Sequence, residues 1–495
     1  MTLPLGELAQ LVDGQRGVPE LLAALPGCTP DAVIDAVAWL ERYGFIEPGW
    51  VTGRIPLRWL GESLTGSESR LLGLLATHLE ALFEVSATFG GPLPVFAGFL
   101  RRREAVTRCI VSGRGLTRRQ AVLSCLGEAA ERVSAAFRGD EPLVRASFTS
   151  LGEKAVHPHL LLNFSEQQYA MRAAGNAQGN VQDAGDSWVP HPFSEDRAVG
   201  WAAARPLRGG AEKLVPAAHV YFDYPGDGQI PCFCIANSNG CASAASLEVA
   251  IERAFLELVE RDAVAIWWYN RLRRPGVAPP VLEQPAIAAV AGWQAERQRT
   301  LQLLDLTSDL AVPVCAAVTR DHDGGRIVFG FGAAWDPQAA ALSAVTEMQQ
   351  VYLSALLIEE ARAAETAERP SHAARALQRW LATATIATQP YLVPSPDDAA
   401  RGVPCSDRPG SKAGDCAVPA LDRIAGRCEK WGLEPLVIDL TRADIGVPTA
   451  RVMVPGLRHF WARFGPGRLY DVPVALGWRP TACPEAELNP VALFI

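Results

Sequence analysis

The 495 residues contain no CxxC pair, and their eleven cysteines are scattered and odd in number. That spacing excludes a zinc framework or a disulfide scaffold and reads as buried, reduced thiols. Cys232 and Cys234 alternate with apolar neighbours like one face of a strand. Basic residues are not in excess either. Forty-six Lys and Arg face 54 Asp and Glu, a net charge of −8, where a chain that neutralises phosphates along a nucleic acid should be basic. No apolar run is long enough to span a bilayer. The stretch Leu72 to Phe89 is interrupted by His78, Glu80 and Glu84, and predicts an amphipathic helix. No basic segment follows Met1, so a secretory signal is not expected. Together these absences predict a cytoplasmic protein with neither a nucleic-acid nor a membrane partner. A GxxxxGK[ST] loop, a GxSxG elbow and an HExxH pair are also missing, which excludes the P-loop and the commonest nucleophile and zinc motifs. His157 and His159 bracket Pro158 and read as the start of a strand. No internal repeat of fixed period stands out.

What is present is ample material for a core: 49% apolar and 20% charged residues. At about 150 residues per domain, the length allows three domains or one large domain with an appendage. Residues 1–60 predict three short helices and a strand, with Thr29 capping a helix that opens at Pro30 and Gly44 ending it. This order suggests a winged-helix-like module. Its four Arg against seven Asp and Glu fit peptide docking better than DNA. Residues 61–105 read as a helical connection. From about 106 to 380 short β-branched runs alternate with long helices in an α/β or α+β pattern; a Pro- and Gly-rich surface loop over 386–420, a helix over about 420–431, a strand from Glu434 to Leu440 and a mixed tail complete the chain.

Three predicted helices carry charge in patterns that suggest chemistry. In TRRQAVLSCLGEAAERVSAAF (117–137), Thr117 and Gln120 have capping-box spacing, and Ser124, Glu128, Glu131 and Arg132 can share a face. A solvated stripe with an internal ion pair is the plainer reading. In SLEVAIERAFLELVERDAVAIWWYNRLRR (246–274), Glu257 and Glu260 stand three apart beside Arg261 in heavily apolar surroundings. Carboxylates in a buried helix need a compensating cation. Bound magnesium with phosphate oxygens would supply it, and a salt bridge to Arg253 or Arg261 is the alternative. The third helix starts at Pro337 behind Asp336 and carries Glu347, Gln349 and Gln350.

At these residues the chain resembles the YcaO family, and more narrowly its azoline-forming cyclodehydratases of ribosomal peptide biosynthesis. The likeness runs from about 106 to 495 through SGRGLTRRQAVLSCLGEAAER (112–132), SNGCASAASLEVAIERAFLELVERDAVAIWWYNRLRRPGV (238–277), GFGAAWDP (330–337) and VPGLRHFWARFGPGRLYDVPVALGW (454–478). The resemblance implies an α+β YcaO-type domain preceded by a small, truncated winged-helix-like module, partly similar to a leader-peptide-binding one. It implies ATP and Mg²⁺ as cofactors, with Glu128, Glu131, Glu257 and Glu260 holding metal. Ser124, Arg132, Arg261 and Glu347 join them in binding the nucleotide. A Cys, Ser or Thr of a ribosomal precursor peptide would add to the preceding amide carbonyl. Phosphorylation of the amide oxygen and loss of phosphate would then leave a thiazoline or oxazoline. A homodimer, a separate leader-peptide-binding protein, and a second YcaO protein or an oxidase are the implied partners. Ala245, Val249 and Ser343 stand where the family carries Asn, an acid and Arg. These departures leave two other readings open: a scaffold or regulatory subunit without ATP turnover, and another backbone modification such as thioamidation.

Overall fold

The computed structural model describes residues 78–100, 109–175, 188–228, 231–277, 279–363, 372–395 and 418–494. The expected winged-helix-like module, and the centre of the expected surface loop, lie outside the described residues. The chain divides into two compact units. Of the described residues, 78–100, 109–129 and 353–363 belong to the first, and those within 130–352 and 372–494 to the second.

The first unit contains an antiparallel meander of β1 (Leu79–Glu84), β2 (Val95–Leu100) and β3 (Cys109–Arg114), followed by α1 (Arg118–Ser134). Residues 79–100 are therefore two strands with a short helix, Val85–Phe89, between them, where a helical connection was expected from sequence. A register shift between Leu79 and Ala81 explains the misreading. It leaves Leu79 and Leu82, three residues apart, both buried, and so imitates helical spacing within a strand. The start of α1 is as expected. The Gln120 amide N–H donates to Thr117 Oγ1 at 3.2 Å, and the Gln120 side chain accepts from Leu116 N–H at 2.9 Å.

In the second unit, a six-stranded antiparallel sheet has the order β4 (Val144–Ala146), β5 (Val199–Pro206), β11 (Leu436–Asp439), β12 (Thr449–Met453) and β7 (Cys241–Ser243), with β6 (Lys213–Pro216) also paired to β5. A second meander joins β8 (Arg299–Asp305), β9 (Val314–Asp321) and β10 (Val328–Ala333). Helix α2 (Leu247–Asn270) touches β7 and β12 of the large sheet, β9 and β10 of the meander, and the helices α4 (Ala420–Glu429) and α5 (Arg468–Ala475). Ser246 caps its start by accepting from Val249 N–H. Phe255, Trp267 and Trp268 are almost wholly buried, and each aromatic ring contributes about 2–3 kcal/mol by leaving water. Asp262, fully buried, is held by Arg468 at 2.6 Å; Arg468 also grips Asp309 at 2.7 Å, so neither acid is left without a cation. His159–Leu162 is a short helix rather than a strand start, and residues 231–237 around Cys232 and Cys234 join no sheet.

Although no periodic repeat is visible in the sequence, the two meanders are built alike. Each is followed by a helix, α1 after β3 and α3 (Pro337–Ala363) after β10. A Cβ on Gly113 would overlap the backbone of Ala121 and Cys125, and one on Gly332 would overlap that of Ala340 and Ala344. The helix therefore lies against the strand backbone, and only glycine leaves room for it. We expect Gly332→Ala to lower stability by about 1–3 kcal/mol through this overlap. Gly426→Ala, mid-helix in α4 with open space at its Cβ, should raise it by up to about 1 kcal/mol. Denaturant midpoints of the two variants check both signs.

Candidate functional site

Close packing of helix on strand sets the direction of two glutamates. Ser112 N–H donates to Glu128 Oε2 at 2.9 Å, and Ser112 Oγ lies 3.3 Å from the same oxygen. Phe331 N–H donates to Glu347 Oε2 at 2.6 Å. In both cases the donor precedes the glutamate by sixteen residues. Each carboxylate thus takes a backbone N–H of the strand beneath its own helix. In this alignment Ser124 corresponds to Ser343. In the first unit Ser124 is exposed and Glu128 half-buried.

In the second unit Glu257 and Glu260 meet on Arg261, while Glu347 acts on it, and Glu131 and Arg132 on nearby Cys241, through their fields. Arg261 Nη1 donates to Glu260 Oε1 at 2.6 Å and its Nη2 to Glu257 Oε1 at 3.3 Å, while the guanidinium lies 4.4 Å from the centre of the Phe460 ring. Glu257 Oε2 accepts from Gly240 N–H at 3.1 Å. Burial opposes the charge on Arg261. The fields of Glu260, Glu257 and Glu347 outweigh it and hold the group above the ordinary arginine range. Burial also lifts Glu257 above the usual carboxylate range, and Arg261, the Gly240 N–H and Arg132 only partly offset it. Cys241, which is buried, feels Glu131, Arg451, Glu257 and Arg132, so these side chains border one region. The alternative read from sequence, an internal salt bridge to Arg261, is thus present; Arg253 instead donates to the Ser243 carbonyl.

The donor set suits the cofactors of the resemblance. Carboxylate and hydroxyl oxygens match a hard cation such as Mg²⁺, and an arginine fork matches phosphate. Arg261 Nε, buried and without a hydrogen-bond partner, leaves donor capacity for an anion. Among the described residues no three acidic, histidine or cysteine side chains form a ready-made metal cage. Magnesium bound with a nucleotide keeps water and phosphate oxygens as ligands, so one or two carboxylates per ion suffice.

Sequence reasoning missed a polar layer beside this region. His459 meets the side-chain amide of Asn239 through Nε2 and accepts from Trp461 N–H through Nδ1 at 3.0 Å. Arg451, fully buried on β12 opposite Cys241, donates to the carbonyls of Asn237 and His219. The HFW run and the lone Arg in an apolar strand were the available signals, but their partners lie some 200 residues away in the chain. Burial, aided by nearby arginines, pushes His459 well below its ordinary value and His219 down to about 3. Both rings are therefore neutral when folded, and the unfolded chain binds more protons below pH 6.5. Their contribution to stability is complete above 6.5 and is lost on acidification, for His219 down to about 3. We expect the thermal midpoint to fall steadily below pH 6.5, and the fall to be shallower in His459→Gln, measured by scanning calorimetry across pH.

Among the described residues no helix is long and apolar enough to cross a membrane. A family profile described as YcaO cyclodehydratase, ATP- and Mg²⁺-binding, matches residues 112–458. Among solved structures, a heterocyclase in complex with substrate and cofactor is 34% identical with a TM-score of 0.74, over 86% of this chain and 57% of the other. The heterocyclase TruD is 37% identical with a TM-score of 0.63, over 77% and 51%. The chain thus spans just over half the length of these heterocyclases. The YcaO protein of Methanopyrus kandleri, bound with AMPPCP and Mg²⁺, shares the fold at 23% identity and a TM-score of 0.53, over 82% and 91%. An uncharacterized protein of Methanothermobacter thermautotrophicus is 27% identical over 74% of this chain and 86% of its own. With the profile covering well over half of its length, the chain belongs to the YcaO family, whose members bind ATP and Mg²⁺.

Proposed function

We propose that the chain is an ATP- and Mg²⁺-dependent cyclodehydratase subunit that converts Cys, Ser or Thr of a ribosomal precursor peptide to azolines. The observation that carries this reading is the gathering of Glu257, Glu260 and the field of Glu347 on one buried arginine, Arg261. An arrangement that concentrates acid around one guanidinium suits a site whose other cations arrive with a nucleotide. Glu131, Glu257 and Glu260 would hold Mg²⁺, with Arg132 and Arg261 against phosphate. The motif gives Ser124 and Glu128 the same role on sequence alone. Bound Mg²⁺ supplies neutralisation of phosphate charge.

In the reaction, the substrate's thiol or hydroxyl bonds to the preceding carbonyl carbon and gives up its proton. The former carbonyl oxygen takes the γ-phosphoryl group, and ADP leaves. The C–O bond then breaks with loss of phosphate, the amide nitrogen loses its proton, and a C=N double bond forms within the ring that the first addition closed. Amide oxygen is a poor leaving group and phosphate a good one. Arg261, fixed by two carboxylates and the Phe460 ring, positions charge without reorganising. We further propose the homodimer, the separate leader-binding protein and the second YcaO protein or oxidase as partners.

A second reading, a subunit that scaffolds without turning ATP over, draws on the same ion pairs. Arg261 neutralises both Glu257 and Glu260 internally. Incubation with the precursor peptide, ATP and Mg²⁺ separates the two. Cyclodehydration should remove one water per modified residue and release phosphate; an unchanged peptide mass, with no heat of ATP–Mg²⁺ binding, favours the scaffold. Glu257→Gln removes an oxygen donor for Mg²⁺ and a partner of Arg261, and should weaken ATP binding about tenfold or more; because burial lifts the Glu257 carboxyl toward its neutral form, folding loses little by the change. The variant's thermal midpoint should match or exceed that of the parent. Titration calorimetry and thermal unfolding of the same sample check both halves.

A further inference from the structure

Residues 231–237 pass between the region of His191 and the Ser238–Gly240 turn without joining a helix or a sheet. The Cys232 carbonyl accepts from His191 N–H at 3.0 Å, the Cys234 carbonyl from Cys232 Sγ at 3.3 Å, and the Asn237 carbonyl from Arg451. Among the described residues, the N–H groups of Phe233, Cys234, Ile235 and Ala236 and the carbonyls of Phe233, Ile235 and Ala236 make no hydrogen bond. Phe233 and Cys234 are buried, at 4% and 5% exposure. Backbone groups in such a position nearly always have partners. Ile235, by contrast, is 44% exposed. Along this segment lies a cavity of about 370 Å³ whose other walls include Tyr221, Tyr224 and Asp227. Asp227 is itself committed, to Gly200 N–H and Tyr224 Oη, each at 2.8 Å.

Two features say what belongs there. A row of unused N–H and C=O groups is complemented by another backbone in extended form, and such recognition tolerates varied side chains. The segment also leads to the carboxylates. Four residues separate Ala236 from Gly240, at most about 14 Å of chain, and Gly240 N–H meets Glu257. Arg451 ties the end of the segment, through Asn237, to the strand facing Cys241.

We propose that residues 232–236 and the adjoining cavity bind the modifiable part of the precursor peptide as an added strand, aligning its Cys, Ser or Thr with the Glu257–Arg261 region. This rests on the function proposed above. Backbone pairing is indifferent to the side chains that flank the modified residue, and the cavity receives the side chain beside the paired strand.

Ile235→Pro removes one of the unused N–H groups and should raise KM for the precursor peptide about tenfold, leaving KM for ATP unchanged. Equal KM values for the peptide overturn the proposal. A second measurement needs no variant: hydrogen–deuterium exchange of the full chain with and without that peptide, in the absence of ATP. Slower exchange is expected at the alternate amides of Phe233 and Ile235, whose N–H and C=O groups are both unused, and protection confined to other segments overturns docking here. Absence of water loss from the peptide with the parent protein and ATP would instead reject the cyclodehydratase reading. The exchange result would still decide, either way, whether the peptide docks on this segment.

Discussion

Contact between a helix backbone and a strand backbone, with no β-carbon between them, governs the geometry of this molecule. At Gly113 and Gly332 a methyl group would occupy space already filled by helix main chain. Because that space is missing, the helix lies low enough for a glutamate side chain to reach back to a strand amide, Glu128 to Ser112 and Glu347 to Phe331. One oxygen of each carboxylate is thereby fixed. The device occurs once in each unit, on the same strand order and with the same separation in the chain.

Helix α2 solves a harder problem. Its burial against two sheets and two helices makes every charge on it costly. Asp262 meets that cost structurally, in a closed arrangement with Arg468 and Asp309 that has no spare capacity. Glu260, two residues earlier, and Glu257, three before that, are treated differently. They share Arg261, whose guanidinium also rests on Phe460 and retains an unpartnered Nε. Asp262 is thus locked, while Glu257 also accepts from Gly240 N–H. The aromatic layer of Trp267, Trp268, Phe329 and Tyr391 bears the stabilising load. The chain beyond it is bound in as well: Asn489 N–H donates to the Tyr269 carbonyl, and Trp268 Nε1 donates to the Val491 carbonyl.

The helices bearing Glu128, Glu257 and Glu347 were legible in the sequence because capping residues and long helical runs are local properties. Thr117, Ser246 and Asp336 sit within three or four residues of what they bind. Family membership was equally legible, since it rests on contiguous motifs. Residues 79–100 misled for an equally local reason: a bulge places two leucines three apart on one side of a strand, and no window of residues distinguishes that from a helix turn.

What the sequence by itself determined was the set of groups: which helices carry acid, where they begin, and that their neighbours are too apolar to leave them uncompensated. Only the tertiary structure decided that Glu257 and Glu260 meet on Arg261 rather than on Arg253, that His459 backs Asn239 from 220 residues away, and that residues 231–237 stay outside every sheet. Hydrogen bonds and ion pairs act over a few ångströms, whereas their partners here are separated by much of the chain. Residue identity therefore fixes what each group can do, while packing fixes which groups are close enough to do it.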